Sequence, residues 1–104
     1  MEKSNVVAAL AALAQEHRLD VFRLLVRAGP EGMAAGEVAE ALRLTPNNLT
    51  FHFDRLRNAG LVSVRRDGRS MIYAARNEAM SGLIGYLGQN CCAVVPKVMS
   101  RSKA

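Results

Sequence analysis

Helix-breaking residues divide the first part of this chain into short segments. Their positions limit the fold more than any other feature of the sequence. Gly29-Pro30 ends one helical pattern, because proline cannot continue a helix and disfavours helical backbone in the residue before it. Thr45-Pro46 begins another, with threonine at the N-cap and proline at the first helical position. Gly60 suits a left-handed stop after that helix. We therefore expect short helices packed in one small domain.

Apolar residues recur with the helical period in each segment before Gly60. They predict helices over residues 5–14, 16–28, 36–42 and 46–59, with Ser4 as the cap of the first. That first helix is apolar on almost every side, since alanines fill the faces between Val6, Val7, Leu10 and Leu13. A helix buried against a second subunit has this pattern, whereas a lone surface helix does not.

The hydrophobic period changes after Gly60. Leu61, Val62 and Val64 lead into Asp67-Gly68, and a return strand over residues 69–75 follows. Asp-Gly is typical of a two-residue hairpin turn in which both central residues take positive φ. We therefore predict a β-hairpin centred on Asp67-Gly68.

A last helix is predicted after the hairpin, with Asn77 as its cap and its end at Cys91 or Cys92. One face of it carries Met80, Leu83, Ile84 and Leu87. A short helix, a turn, a longer helix and then a hairpin form a winged helix-turn-helix, so the predicted class is mainly α with a β-hairpin wing. We expect one domain over residues 1–96 and a flexible tail over residues 97–104.

The positive charge of the chain is concentrated in one third of it. The formal net charge of the chain is +5, and residues 43–76 account for all of it, since they contain seven arginines and only two acidic residues, Asp54 and Asp67. The other residues carry seven basic and seven acidic groups, which cancel. Arginine has the planar fork that matches phosphate and guanine. This distribution favours a nucleic-acid partner over an ordinary solvated surface.

The longest apolar run, Val6–Ala14, is too short to span a bilayer and follows a single lysine rather than a basic segment. We therefore expect no membrane association, no export signal and a cytoplasmic location. With 104 residues, the chain also leaves little room for a deep substrate cleft.

The helix at 46–59 carries residue types that read DNA. With Leu49, Phe53 and Leu56 facing inward, its other face is expected to meet solvent or a partner. The candidate contacts on this face are Asn47, Asn48, Thr50, Phe51, His52 and Arg55, and those at the wing tip are Arg65, Arg66 and Arg69. Asparagine pairs with adenine and arginine with guanine or phosphate, and the N-terminal end of such a helix meets the bases. Singly, each has an ordinary structural alternative, such as a hydrogen bond of His52 within the domain; together they indicate double-stranded DNA.

These segments resemble the ArsR/SmtB family. The likeness is carried by Leu42–Val62 (LRLTPNNLTFHFDRLRNAGLV), by Arg65–Arg69 with Tyr73, and by Arg18–Leu25 (RLDVFRLL), and it covers residues 6–90. Two positions depart from the family pattern: Phe53 replaces a usual leucine, and Phe51 stands where a polar residue is common.

The resemblance implies a homodimeric winged-helix repressor that leaves its operator when a toxic metal or metalloid binds. It implies that the first and last helices form the dimer interface, here Val6, Val7, Leu10, Leu13, Met80, Leu83, Ile84 and Leu87. No cofactor is then needed beyond the regulatory ligand.

The sensing site expected for this chain is the pair Cys91-Cys92. Many relatives carry a Cys-x-Cys motif before the recognition helix, but Ala35–Leu42 (AGEVAEAL) has no cysteine, and the last helix has no histidine for zinc. Adjacent thiolates select soft ions, and disulfide frameworks are rare in cytosolic proteins. The pair resembles the vicinal cysteines of the arsenite-responsive branch, which implies As(III) or Sb(III) as the ligand. The third ligand stays open, since no cysteine follows Cys92.

Other interpretations of the pair remain open. The two thiols are also compatible with an oxidant sensor or with inert buried cysteines. A thiol enzyme is disfavoured, because a helix C-terminus raises the pKa of a thiol and such an enzyme needs an activated one. The sequence is also compatible with a regulator that senses nothing.

Overall fold

The computed structural model describes residues 1–89 as five helices and three short strands. In chain order they are α1 (Lys3–Leu13), α2 (Glu16–Ala28), β1 (Met33–Ala34), α3 (Ala35–Leu42), α4 (Pro46–Asn58), β2 (Val62–Asp67), β3 (Ser70–Ala75) and α5 (Asn77–Gly88). This order confirms the predicted winged helix-turn-helix fold. The predicted domain end at residue 96, the tail at 97–104 and the pair Cys91-Cys92 lie outside the described residues.

Local capping chemistry fixes where two of the helices begin. The backbone N–H of Asn48 donates to Thr45 Oγ1 at 3.3 Å, which confirms Thr45 as the N-cap of α4. Gln15 caps α2 in the same way, since its Oε1 accepts from the backbone N–H of Arg18 at 2.9 Å. The predicted caps Ser4 and Asn77 are wrong, because both residues already lie inside the first turn of their helices.

A single hydrophobic core joins the helices to the base of the hairpin. Its buried members from α1, α2 and α3 are Val6, Ala9, Ala12, Val21, Phe22, Leu25 and Val38, and those from the later elements are Leu49, Phe53, Leu56, Leu61, Val62, Ala79 and Leu83. Every helix therefore contributes an apolar stripe to the same core, and the stripes of α4 confirm the predicted inward face of that helix.

The sheet has three antiparallel strands in the order β1-β3-β2. The two-residue strand β1 pairs Met33 with Tyr73 and Ala34 with Ile72. The sequence did not predict this strand, because two residues cannot show an alternating pattern. Its effect is to attach the segment before α3 to the wing.

The hairpin turn lies one residue later than predicted. Asp67 pairs with Ser70, so the central residues are Gly68 and Arg69. Gly68 has φ +64°, whereas Asp67 and Arg69 are absent from the residues with positive φ. A type II′ turn needs positive φ only at its first central position, and glycine supplies it without steric cost.

The helix α5 ends at Gly88, so the prediction that it runs to Cys91 or Cys92 is wrong. Gly82, Gly85 and Gly88 all lie in this helix, and glycine is about 1 kcal/mol less favourable than alanine in a helix interior.

None of the helices within residues 1–89 is long and apolar enough to cross a membrane.

The residues predicted for a dimer interface fall into two groups. Val6 and Leu83 are buried in the core of their own chain, so the prediction that they face a partner is wrong, while Leu13 and Met80 are half-buried at its edge. The exposed members are Val7, Leu10, Ile84 and Leu87. Since α1 and α5 pack together, these four apolar side chains lie on neighbouring helices.

Gly32 provides a test of how the wing is attached. Its φ is +75°, and a Cβ atom there would clash with the backbone carbonyl oxygen of Tyr73. We expect Gly32→Ala to lower the unfolding free energy by about 2–4 kcal/mol, since it combines backbone strain with a clash against a strand. Urea unfolding followed by circular dichroism measures this loss.

The matched control is Gly36→Ala, because Gly36 lies in α3 and a Cβ atom there meets nothing within 4 Å. That variant should be as stable as the parent or up to about 1 kcal/mol more stable. Equal stability of the two variants would contradict the attachment described for β1.

Candidate nucleic-acid interface

The helix α4 is held against the wing by an aromatic stack. The rings of Phe53 and Tyr73 lie parallel, with 3.6 Å between centroids and 6° between planes. The two rings are therefore face to face, closer than the offset or edge-to-face arrangements that aromatic pairs usually adopt. Phe53, the departure from the family pattern, therefore joins α4 to β3 directly.

The N-terminal half of α4 presents polar side chains to solvent. Asn47, Asn48 and Thr50 are all exposed, as predicted. The Thr50 hydroxyl donates to the carbonyl oxygen of Pro46 at 3.0 Å, which leaves its lone pairs available to a donor. Within residues 1–89, the amides of Asn47 and Asn48 make no side-chain hydrogen bond, so their donors and acceptors are available to base edges.

The wing tip presents arginine side chains. Arg65 is partly engaged, since its Nη2 donates to the carbonyl oxygen of Glu31 at 3.1 Å. Arg66 and Arg69 are exposed and make no ion pair with any carboxylate in the described part of the chain. Two guanidinium groups of the wing are therefore free to meet phosphate.

One cavity shows that the wing and the start of α4 adjoin each other. It has a volume of about 240 Å³ and is lined by Pro46 and Thr50 of α4 together with Met71 of β3. Met71 pairs with Arg66 across the hairpin. The strand β3, which pairs with the arginine-bearing strand β2, therefore lies beside the exposed turn that carries the asparagines.

The aromatic ring of Phe51 organises two arginines at the middle of α4. Phe51 is 49% exposed. The guanidinium carbon of Arg55 lies 4.8 Å from its ring centroid, and that of Arg18, on α2, lies 6.0 Å away. Both distances are within the range of cation–π attraction, so Phe51 positions positive charge on this face.

His52 does not share the exposed face. Only 6% of its surface is accessible, so the prediction that it faces a DNA partner is wrong, and it packs instead beside His17 with 5.7 Å between ring centroids. Its Nδ1 has no hydrogen-bond partner among the described residues. Burial lowers the pKa of His52 below its ordinary value of 6.5, and the positive charges of Arg18 and His17 lower it further.

Two basic residues of this surface were not singled out in the sequence. Arg18 reaches Phe51 from another helix, and no sequence pattern indicates that contact. Arg43 caps α3 with left-handed backbone at φ +57° and ψ +42°, which puts an exposed arginine in the turn before α4. Its position after the last apolar residue of α3 was the available indication, although glycine or asparagine is usual there.

Residues 1–89 contain no group of three or more His, Cys, Asp or Glu side chains that could hold a metal ion. The metalloid prediction therefore depends on Cys91 and Cys92, which lie outside the described residues.

Comparison with known proteins relates this chain to DNA-binding regulators. A family model described as a helix-turn-helix domain matches residues 13–65, which include α2, α3 and α4. The nodulation protein NolR of Rhizobium meliloti is 33% identical over 99 residues, a match that covers 91% of this chain and 79% of NolR.

Solved structures share the fold over most of the chain. An ArsR-like transcriptional regulator from Rhodococcus sp. RHA1 superposes with a TM-score of 0.75 at 20% identity, covering 96% of this chain and 92% of that one. The homodimeric winged helix-turn-helix DNA-binding domain of Mb0332 from Mycobacterium bovis gives a TM-score of 0.68 at 22% identity, covering 84% of this chain and 81% of that one.

The buried histidine predicts a pH dependence of stability. Because its pKa is lower in the native state, the unfolded chain binds a proton first as the pH falls below about 6.5, and the native state loses stability from there downward. We expect His52→Gln to reduce this loss between about pH 7 and about pH 5. The measurement is urea unfolding at a series of pH values.

The control is His17→Gln, an exposed neighbour on α2. It should keep most of the acid-side loss, since burial of His52 is the largest cause of the shift. An unchanged pH slope in His52→Gln would refute the assignment.

Proposed function

We propose that this chain, which belongs to the helix-turn-helix domain family, is a homodimeric repressor released from its operator by a thiophilic ligand. Its similarity to NolR and to ArsR-like regulators makes it a transcriptional regulator of that type. In this proposal the asparagines of α4 read base edges in the major groove, while the wing arginines bind the phosphate backbone.

The observation that carries the DNA proposal is the adjacency of two unlike surfaces. Asn47 and Asn48 supply neutral amides on the first turn of α4, and Arg66 and Arg69 supply charge on the neighbouring wing. Amides discriminate bases, whereas guanidiniums at a loop tip contribute sequence-independent affinity. A surface that holds both kinds of group side by side suits a duplex better than it suits a small acidic ligand.

The dimer proposal is supported by exposed apolar side chains on two packed helices. Ile84 of α5 is 61% exposed and Val7 of α1 is 58% exposed, although both are large aliphatic residues. An apolar patch of this kind on a small soluble protein commonly marks an interface between proteins. The similar domain from Mycobacterium bovis is described as homodimeric, and two copies would present two α4 helices to successive major grooves.

The ligand proposal is supported by donor chemistry and by proximity in sequence. Cys91 and Cys92 offer two soft thiolates, which favour As(III) or Sb(III) over hard cations. Only Gln89 and Asn90 separate Cys91 from the end of α5. Capture of one ion by both thiolates would therefore act beside the proposed dimer helix and change the spacing of the two α4 helices. A coupling of about 1–3 kcal/mol weakens DNA binding by about 5–150-fold.

DNA recognition can be tested on duplexes selected by the full chain from a random library. Asn47→Ala and Asn48→Ala should each cost about 1–3 kcal/mol on the selected duplex and little on a mixed-sequence duplex. Arg66→Ala and Arg69→Ala should weaken both duplexes alike and lower the salt slope by about one for each lost phosphate contact. Fluorescence anisotropy measures affinity, and sedimentation gives the number of chains per duplex.

The control is Arg27→Ala, which removes the same charge from the exposed last turn of α2. Unlike the wing variants, it should leave the affinity for both duplexes and the salt slope nearly unchanged. The proposal fails if no duplex is enriched, and its dimeric part fails if one chain binds each duplex.

The regulatory pair can be tested by release of reduced protein from the selected duplex. Arsenite without oxidant should weaken wild-type binding by about 5–150-fold, because bound ligand and bound DNA disfavour each other. Cys91→Ser should bind the duplex as the wild type does and should not respond to arsenite.

Diamide in place of arsenite separates metalloid sensing from thiol oxidation. Release by diamide alone would replace the metalloid with an oxidant as the effector. Release of Cys91→Ser by arsenite would place the ligand site elsewhere in the chain.

A further inference from the structure

A small pocket between three helices is lined by two arginines, Arg18 and Arg55, for which no joint role has been described above. It has a volume of about 230 Å³ and lies between α1, the start of α2 and the end of α4. Its polar lining consists of Arg18, Arg55 and Asn58, and its remaining walls are the alanines Ala8, Ala11, Ala12 and Ala59. Short methyl walls leave the space in front of the guanidinium groups open.

The guanidinium of Arg18 is fixed in place with part of its donor set unused. Its Nε donates to the carbonyl oxygen of Ala12 at 2.7 Å, which anchors it to the end of α1. Within residues 1–89, its two terminal nitrogens make no hydrogen bond. The side chain is therefore oriented before any ligand arrives, which reduces the entropy lost on binding.

The second guanidinium is oriented by the ring of Phe51. Arg55 and Arg18 both lie within 6.0 Å of the centroid of that ring, and no carboxylate of the described chain lies within 4.0 Å of either guanidinium. The nearest acidic residue in sequence, Asp54, instead pairs with Arg57 at 3.9 Å. Two guanidiniums thus border one pocket without a carboxylate partner, and the lowered pKa of His52, caused first by burial and then by Arg18, agrees with a positive local field.

We propose that Arg18, Arg55 and Asn58 bind a single phosphoryl oxyanion in this pocket. The arginine fork pairs with two oxygens of such a group, and the asparagine amide can donate to a third. The pocket is smaller than those that take drug-sized ligands, so one tetrahedral group suits it better than an extended acidic peptide.

The oxyanion has two sources of the same chemistry: a free phosphate ion or a phosphate of the DNA backbone. Asn47, Phe51 and Arg55 are spaced four apart on α4 and share one face, so a duplex seated on the asparagines extends toward the pocket. The DNA source rests on the proposed function, whereas the free-ion source does not.

The test places a carboxylate in the pocket without touching its arginines. Ala8 is exposed and lines the pocket, so Ala8→Glu offers an internal partner to both guanidiniums. Ser4→Glu is the matched control, since Ser4 is exposed one turn earlier on α1 and does not line the pocket. Circular dichroism checks that both variants fold.

The first arm titrates the free protein with inorganic phosphate at constant ionic strength and follows the Nε–H resonances of Arg18 and Arg55 by NMR. Saturable shifts in the wild type and Ser4→Glu, absent in Ala8→Glu, support a free-ion site. The second arm measures the salt slope of binding to a duplex of about 30 base pairs, long enough for two half-sites. A slope reduced by about one per protomer in Ala8→Glu alone supports a DNA phosphate.

The proposal is overturned if phosphate causes no saturable shifts in the wild type and if the salt slopes of Ala8→Glu and Ser4→Glu are equal. If the wild type binds no duplex at all, the proposed function fails, and the phosphate arm alone decides whether the pocket is an oxyanion site.

Discussion

The contact between Phe53 and Tyr73 is the interaction on which the arrangement of this molecule depends. It is the point where the helix that carries the asparagines meets the hairpin that carries the arginines. Tyr73 also pairs with Met33 of β1, so one residue of β3 contacts both the segment before the helix-turn-helix and its second helix. The relative position of the amides and the guanidiniums depends on this contact and on the core around it, and within residues 1–89 no ion pair joins the two surfaces.

Features set by local chemistry were predictable from the sequence. Thr45 and Pro46 define the start of α4 because a hydroxyl cap and a fixed φ act within a few residues. The inward positions of Leu49, Phe53 and Leu56 follow from the helical period, and Gly60 takes the expected positive φ of +77°. The exposure of Asn47 and Asn48 follows from the same period, whereas that of Arg66 and Arg69 follows from their place at the tip of a hairpin.

Features set by contacts between distant segments were not predictable. His52 has a polar side chain and is buried because His17 and Phe51 pack beside it, which periodicity alone does not indicate. The short strand β1 exists only through its pairing with β3. The shift of the turn to Gly68-Arg69 reflects the register of the whole hairpin, and the pocket at Arg18 and Arg55 combines residues from three helices.

Strand β3 also shows that the helix-turn-helix motif packs against a part of the chain that lies beyond the motif itself. The helix-turn-helix match spans residues 13–65, yet the strand that closes the sheet begins at Ser70. A peptide cut at the limits of that match would keep both helices of the motif but would lose Tyr73, leaving Phe53 uncovered and β1 without a partner. The helix-turn-helix motif is therefore covered on this side only when the hairpin is complete, so in this fold the wing also serves as a structural support for the motif.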